Sequence, residues 1–319
     1  MVVALDGTPL TLSSGGLRRY TEELVAALRC TFPADEFHAL SDQLVKPGNV
    51  FERRWWSIGL PAALLRLRCE VFHGTDFAVP YLPLKPSVMS VHDVSPWMNR
   101  AWHSGANRVR KRTPFLIRCG VATMLITGTE AVRRQIVQLF GVSPARVVVV
   151  PDAPASKLLR VEAAPPERPY FLFVGTVEPR KNVPALIAAW RVLRQRYEVD
   201  LIVAGRRRDD GPAIPVEPGL TYLGEVSDQE LAGLHSGATA LVYPSLYEGF
   251  GLPVLEAMKC GTPVITSKDP ALLEVSGDAG LHVDPDDLPR AMEGLLLNAG
   301  ERARQADLGR KRASDFSWE

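Results

Sequence analysis

A rhythm that runs twice is what most constrains this chain. Short β-branched runs alternate with amphipathic helical stretches, a proline-rich segment intervenes, and the alternation starts again. Strands that alternate with helices build parallel sheets, because parallel neighbours need a long crossover rather than a tight turn. In the first half the strand candidates are 2–5, 70–73, 87–91, 124–127 and 146–150. The best helix is 17–29, where Leu17, Tyr20, Leu24, Ala27 and Leu28 fall on one face. Four prolines lie between 154 and 169, the composition of a linker. The second half gives strands at 170–174, 201–204, 240–243 and 264–266, with helices at 183–196, 228–234, 253–259 and 288–297. A chain of 319 residues exceeds one ordinary core and fits two domains of about 150 residues. The expected fold class is α/β: Rossmann-like doubly wound domains at 1–155 and 170–319, a linker at 156–169, and a central cleft between them. Ligands of such sheets bind at the carboxyl ends of the strands, which would line that cleft.

Composition narrows the setting. The sequence opens Met1-Val2-Val3-Ala4-Leu5-Asp6, without the basic start of a signal peptide, and no apolar run reaches about 18 residues. The four cysteines, Cys30, Cys69, Cys119 and Cys260, are far apart and read as reduced, mostly buried thiols of a cytoplasmic protein. The net charge of +1 hides an asymmetry. Residues 1–155 carry 18 basic and 12 acidic residues, whereas residues 156–319 carry 19 and 24. Two halves of opposite charge suit different partners.

The strongest chemical signal is Glu248-Gly249-Phe250-Gly251-Leu252-Pro253-Val254-Leu255-Glu256. It follows a strand, two glycines permit a tight turn, and Pro253 suits the first position of a helix. Amides at Gly251 and Leu252 would then point out of the helix N-terminus toward an anion. Glu248 and Glu256 reach the same ligand from loop and helix, and a carboxylate accepts from separate sugar or ribose hydroxyls. The plain alternative is two first-turn acids favoured by the helix dipole. A second motif, Gly175-Thr176-Val177-Glu178-Pro179-Arg180-Lys181-Asn182, joins the strand at 170–174 to the next helix. Arg180 and Lys181 stand at the positive end of a helix, a position that makes sense if an anion such as a diphosphate sits between. Taken alone, they are an ordinary exposed basic pair. In the first half, the Ser13-Ser14-Gly15-Gly16-Leu17-Arg18-Arg19-Tyr20 loop opens a helix, and His92-Asp93 follows a strand. His92 there either donates to a sugar hydroxyl or holds backbone.

In this order and spacing, the four pieces resemble the family 4 glycosyltransferases of the GT-B fold, the group 1 glycosyltransferases. The likeness covers nearly the whole chain and is most specific at 175–182, 222–231 and 243–263, with first-domain pieces at 15–20, 72–74 and 90–93. It implies that Glu248 holds donor-sugar hydroxyls and Glu256 the ribose hydroxyls. Arg180 and Lys181 would neutralise the leaving diphosphate, and the loop at Gly249 with the amides of Phe250, Gly251 and Leu252 would contact sugar and phosphate. Gly16 and Gly175 would lie along the donor, His92 would bond a sugar hydroxyl, and Arg206 and Val226 would lie near the base. The resemblance also implies retention of anomeric configuration by front-side attack, a nucleotide-diphosphate-sugar as substrate, no cofactor and no metal. Two cations standing in for a metal agree with this. Asp284-Pro285-Asp286 has the D-x-D spacing of metal sites but directly precedes a helix, so it reads as capping. Pro151-Asp152-Ala153 stands where the family has Pro-Asn-Gly. The family's returning helix would start about where the chain stops, at Phe316-Ser317-Trp318-Glu319, so the second domain is expected without it.

The acceptor is expected to be a glycan or a lipid-linked molecule. Six basic residues (Arg100, Arg108, Arg110, Lys111, Arg112, Arg118) and no acid lie between 94 and 129, interspersed with Trp97, Trp102 and Phe115. They offer a peripheral contact with an anionic membrane, or simply a solvated face. Nucleic acid is not expected as a partner. A sugar-nucleotide epimerase, a phosphorylase or a silent nucleotide-sugar-binding subunit would share the fold. A nicotinamide dehydrogenase is disfavoured because the third glycine of its fingerprint is missing after Gly251.

Overall fold

The structure, a computed structural model, describes residues 1–13, 15–103, 105–162 and 166–319. Packing divides the chain into two units, Met1–Asp152 with Trp318–Glu319, and Ala153–Ser317.

Unit 1 carries a six-stranded sheet of β1 (Val2–Asp6), β2 (Glu36–Leu40), β3 (Val71–Gly74), β4 (Ser87–Ser90), β5 (Met124–Thr127) and β6 (Val147–Val149). The order is β2-β1-β3-β4-β5-β6 and every pairing is parallel. Its helices are α1 (Gly16–Thr31), α2 (Leu60–Arg66), α3 (Ser95–Met98), α4 (Asn107–Arg118) and α5 (Glu130–Phe140). Unit 2 repeats the plan with β7 (Tyr170–Val174), β8 (Asp200–Ala204), β9 (Leu220–Gly224), β10 (Ala240–Tyr243), β11 (Val264–Thr266) and β12 (Gly280–His282). Around them lie α6 (Val183–Arg194), α7 (Asp228–Gly237), α8 (Leu252–Lys259), α9 (Pro270–Ser276), α10 (Leu288–Leu297) and α11 (Ala299–Ala313). The order β12-β11-β10-β7-β8-β9 is that of a dinucleotide-binding sheet, and the winding reverses between β7 and β10.

The central elements follow from the sequence directly. All five residues of β7, Tyr-Phe-Leu-Phe-Val, are buried, as a strand covered on both faces must be. Helix α6 buries Val183, Leu186, Ile187, Trp190 and Leu193, a stripe of helical period, and the Trp190 indole donates to the Val199 carbonyl at 3.0 Å. The strands absent from the sequence reading are β2, β9 and β12, and all three lie at sheet edges. Edge strands are packed on fewer sides and need no continuous apolar run; in β9 three of the five residues are exposed.

Three further expectations change. The segment 156–169 is not a free linker where it is described: Leu158 is buried in the core of unit 2, and the Val161 amide donates to Ser236 Oγ at 3.1 Å. Residues 163–165 of that segment lie outside the described residues. Of the cysteines only Cys69 and Cys260 are buried, while Cys30 and Cys119 are exposed. Asp284 caps nothing with its side chain; its Oδ2 lies 2.5 Å from Lys268 Nζ, and Asp287 at the start of α10 makes no side-chain cap either. The final Trp318 belongs to unit 1, where its ring lies 5.9 Å from that of Tyr20.

Candidate active site

Strands β7 and β10 flank the reversal in unit 2, and the two sequence motifs leave their carboxyl ends. Gly175, at φ +145, donates to the Ala204 carbonyl at 2.9 Å. Beyond it the Val177 amide donates to Arg206 and the Arg208 amide to Val177, so the β7–β8 pairing continues past the sheet and aligns the two loops. A short 3₁₀ turn, Pro179–Lys181, then closes on Asn182, a non-glycine residue in the left-handed region at φ +54, from which α6 departs. The turn is tied to the β10 loop by the Leu246 amide, which donates to the Arg180 carbonyl at 2.7 Å.

These loops bring Arg180, Lys181 and Glu248 into direct contact. Lys181 Nζ donates to Glu248 Oε1 at 2.5 Å and Arg180 Nη1 to Glu248 Oε2 at 3.0 Å. Arg180 Nε also lies 2.7 Å from Glu178 Oε1, and the other oxygen of Glu178 accepts from Arg208 at 2.6 Å. Arg208 in turn grips Asp210 through two nitrogens. Glu178, Lys181 and Glu248 are all buried. Burial alone would raise the Glu248 carboxyl, but Lys181 and Arg180 more than reverse that and hold it at about 2, so it is ionised at any physiological pH. Asp269, whose Oδ1 accepts from the Ala271 and Leu272 amides at the start of α9, is pushed up to about 6 by burial and by the Glu248 charge.

Tyr243, the last residue of β10, completes the cluster. Its hydroxyl accepts from Lys181 Nζ at 2.5 Å, and its ring stacks on Phe173 at 5.8 Å. Burial and the Glu248 carboxylate push its phenol well above the ordinary range, so it stays neutral. Burial also pulls the Lys181 ammonium below its ordinary pKa, against the attraction of Glu248. Tyr243→Phe keeps the stacking and removes one of the two acceptors of that ammonium. We expect kcat/KM to fall about tenfold and its alkaline limb to move to lower pH, because the desolvated ammonium loses its proton more readily. An unmoved alkaline limb would remove Tyr243 from this role.

Helix α8 opens at Leu252, with Gly251 at φ +102 as its N-cap and Pro253 in second rather than first place. Neither the Gly251 nor the Leu252 amide has an acceptor among the described residues, so both remain donors at the positive end of the helix. Glu256 is buried on the same helix. The Phe250 side chain is core, edge-on to Phe316 at 5.9 Å, which leaves only backbone from that residue and from Gly249 for a ligand. The Arg206 side chain is exposed and its carbonyl serves Val177; the cation of this loop that joins the cluster is Arg208, not Arg206. Val226 is a partly buried residue packed against the core of unit 2, immediately before the capping box of α7.

In unit 1, Gly15 caps α1 at φ +116 and Gly16 begins the helix with open space where a Cβ would stand. Ser14 lies outside the described residues. One turn on, the buried Tyr20 packs edge-on against His92 at 4.6 Å, so Gly16 and His92 belong to one patch. His92 Nε2 bonds the Thr75 carbonyl at 2.7 Å. That nitrogen must carry a proton, so this side of the ring holds backbone and only Nδ1 is left to face a ligand. Behind it Tyr20 bonds Ser90, which bonds His73, and burial holds the His73 imidazole neutral, at about 4. Asp152 is also pushed up to about 6 by burial, with His92 nearby as an opposing influence.

Asp6, at the end of β1, is 2% exposed, and its Oδ1 accepts from the Thr8 amide and hydroxyl. Burial lifts its carboxyl from 3.8 to about 6 despite those bonds. The folded state therefore holds this proton more tightly, and the stabilisation, full below the unfolded value, is lost as pH rises through about 6. Asp6→Asn keeps the acceptor without the charge. It is expected to add about 1–2 kcal/mol at about pH 8 and nothing at about pH 4, read as melting temperature. A loss at the higher pH would show that the charged form is stabilising there.

Comparison with known proteins places the chain. Residues 156–312 match the model of "Glycosyl transferases group 1". An O-antigen chain mannosyltransferase B of Escherichia coli is 32% identical over 372 aligned positions, which take in 100% of this chain and 97% of the relative. The chain is a group 1 glycosyltransferase. Solved structures agree on its GT-B fold. A sucrose-phosphate synthase from Thermosynechococcus elongatus matches with a TM-score of 0.78 at 20% identity, over 100% of this chain and 95% of the other. Anabaena Alr3699/HepE, in complex with UDP-glucose, matches with a TM-score of 0.74 at 15% identity, over 98% and 94%. In this transferase, sequence reasoning passed over Glu178, Arg208, Tyr243 and Asp269. Glu178 lay inside a motif already singled out, and the Arg206-Arg207-Arg208 run after β8 was a usable signal. Tyr243 opened the 243–263 block but read as the end of a strand, and nothing local marked Asp269.

Proposed function

We propose that this transferase moves a hexose, in our reading mannose, from a nucleotide-diphosphate-sugar onto a glycan or lipid-linked acceptor, with retention and without a divalent metal. The observation that carries the reading is the Arg180–Lys181–Glu248 cluster at the strand reversal of unit 2. Lys181 has three N–H donors and uses two, on Tyr243 and Glu248, so one is open to phosphate. A sugar hydroxyl donating to Glu248 would compete for that carboxylate and free more of both cations. In the step itself, the bond from the anomeric carbon to the diphosphate oxygen breaks with its electron pair on the diphosphate. The acceptor oxygen bonds to the same face of that carbon, and its proton passes to the diphosphate. Arg180 and Lys181 offset the charge that grows on the leaving group, a task a metal ion performs elsewhere.

Mannose, a polysaccharide product and a nucleotide-sugar donor are supported by what the relatives' names and bound molecules describe. No helix among the described residues is long and apolar enough to cross a membrane. On this reading the chain works in the cytoplasm, touching the anionic inner face of a membrane through the Arg100–Arg118 region. The test is a metal-free thermal-shift panel of UDP, GDP, ADP and CDP with their mannose conjugates, followed by a transfer assay. One base is expected to raise the melting temperature, by about 2.7 kcal/mol of stability at 100 times its Kd. A chelator is expected to leave the rate unchanged, and the product to keep the donor's anomeric configuration. Activity lost to chelator and restored by Mg²⁺ would overturn the metal-free reading, and an inverted product the retaining one.

A further inference from the structure

Helix α4 presents Arg108, Lys111, Phe115 and Arg118 at spacings of three and four residues, and all four are exposed, Phe115 to 63%. The Tyr81 hydroxyl, on the neighbouring loop, accepts from Arg108 Nη2 at 3.2 Å and from Arg112 Nη1 at 3.3 Å. Two guanidinium groups therefore converge on one phenol oxygen, and neither is ion-paired to a carboxylate among the described residues. Arg112 also lies 6.0 Å from the Trp56 ring and 5.9 Å from the Tyr81 ring, and its Nε is buried without an acceptor. Like charges held this close repel unless an anion joins them. The carboxyls of Asp6 and Asp76 feel the charge of Arg112, but neither forms an ion pair with it among the described residues.

The surroundings say what kind of anion. Leu82 and Leu84, beside Tyr81, are 50% and 45% exposed. Apolar side chains around a cationic centre suit an amphiphile's interface better than a free ion in water. Charge points the same way: residues 49–118 hold 11 of the 18 basic residues in 1–152 but only 4 of the 12 acidic ones. We propose that Arg108 and Arg112, gathered at Tyr81, and the exposed Lys111 of the same helix form a seat for the phosphate headgroups of an anionic bilayer, with Leu82, Leu84 and Phe115 entering the interface. This rests on the membrane contact proposed above and assigns it to particular side chains.

The experiment is co-sedimentation of the full chain with phosphatidylglycerol vesicles and with phosphatidylcholine vesicles. Wild type is expected to bind the former and not the latter. Each basic residue near an anionic surface is worth about fivefold in affinity, so Arg108→Gln/Lys111→Gln should bind about 25-fold more weakly. Lys46→Gln/Arg134→Gln removes the same charge at exposed positions of unit 1 outside the Arg100–Arg118 region and should cost about threefold or less. Equal losses in the two pairs would overturn the seat while leaving a general membrane attraction. Absence of wild-type binding, or equal binding to both vesicles, would overturn both. Displacement of the protein from vesicles by inorganic phosphate at constant ionic strength would reassign the seat to a free anion. Phe115→Ser, a change at an exposed position, is expected to weaken binding with the charge untouched, and unchanged binding would remove the apolar part of the proposal.

Discussion

Lys181→Ala is expected to lower kcat/KM at least about 100-fold and stability by about 3 kcal/mol, and the two losses have different origins. Lys181 and Glu248 are 6% and 5% exposed, so deleting the ammonium leaves a buried carboxylate with Arg180 as its remaining direct ion-pair partner. Breaking a buried pair costs more than the pair's net worth, because the surviving charge stays desolvated. On the proposed mechanism the catalytic loss is separate, since a donor to the leaving diphosphate would be gone. Glu248→Gln/Lys181→Ala distinguishes the two. Removing both charges is expected to restore much of the stability and none of the activity, a non-additivity that only a shared cluster produces. The acid side gives a second check. Glu248, with its folded pKa held at about 2, contributes stability that is present above its unfolded value and lost as pH falls toward 2. Without Lys181 the folded pKa moves up toward the unfolded value, so that loss should be smaller and complete at higher pH. A Lys181→Ala enzyme within about threefold of wild type, on folded protein, would take Lys181 out of the reaction.

How far the sequence reached depends on what each residue answers to. Buried central strands declare themselves, because β7 and β10 must be apolar along their whole length. The edge strands β2, β9 and β12 do not. Arg180, Lys181 and Glu248 were legible because each sits in a loop whose glycines and prolines mark it as a ligand-facing turn. The basic run 206–208 was visible, but neither the choice of Arg208 from it nor Asp269 was legible, since both reach the cluster only because β8 and β11 lie beside β7 and β10. Strand order is a property of the whole sheet, and no local pattern encodes it. Tyr243 opened a block already singled out, but its role was hidden for a simpler reason, as the apolar end of a strand reads as core until its hydroxyl is seen against Lys181. His92 shows a partial reading of another kind. Its place at a strand end was legible, but its choice between ligand and backbone turned on the Thr75 carbonyl, which β3 delivers from another part of the chain.

That dependence on neighbouring loops gives the second large effect, at a glycine no motif drew in. Gly205 follows β8 at φ +125, and a Cβ there would stand 2.2 Å from the Gly175 carbonyl oxygen and 2.7 Å from its carbon. Backbone cannot swing aside as a side chain does, so the loop carrying Arg180 and Lys181 would have to move. Gly205→Ala is therefore expected to cost about 3 kcal/mol, the sum of left-handed strain and overlap, and to abolish most transfer even in the folded fraction. Gly175→Ala meets strain without overlap, since its nearest neighbour would be 3.7 Å away at φ +145, and should cost about 1–2 kcal/mol. Gly16→Ala meets nothing within 4 Å and should leave stability unchanged. If the donor approaches the backbone at Gly16, that last variant should nonetheless raise KM, because its methyl group would stand in the ligand's path. The series separates two uses of glycine: at 205 space for another loop, at 16 space for a substrate. Stability losses that ranked Gly16 above Gly205 would overturn the backbone contact as the reason for Gly205, and a Gly16→Ala enzyme with unchanged KM would take Gly16 out of the donor site.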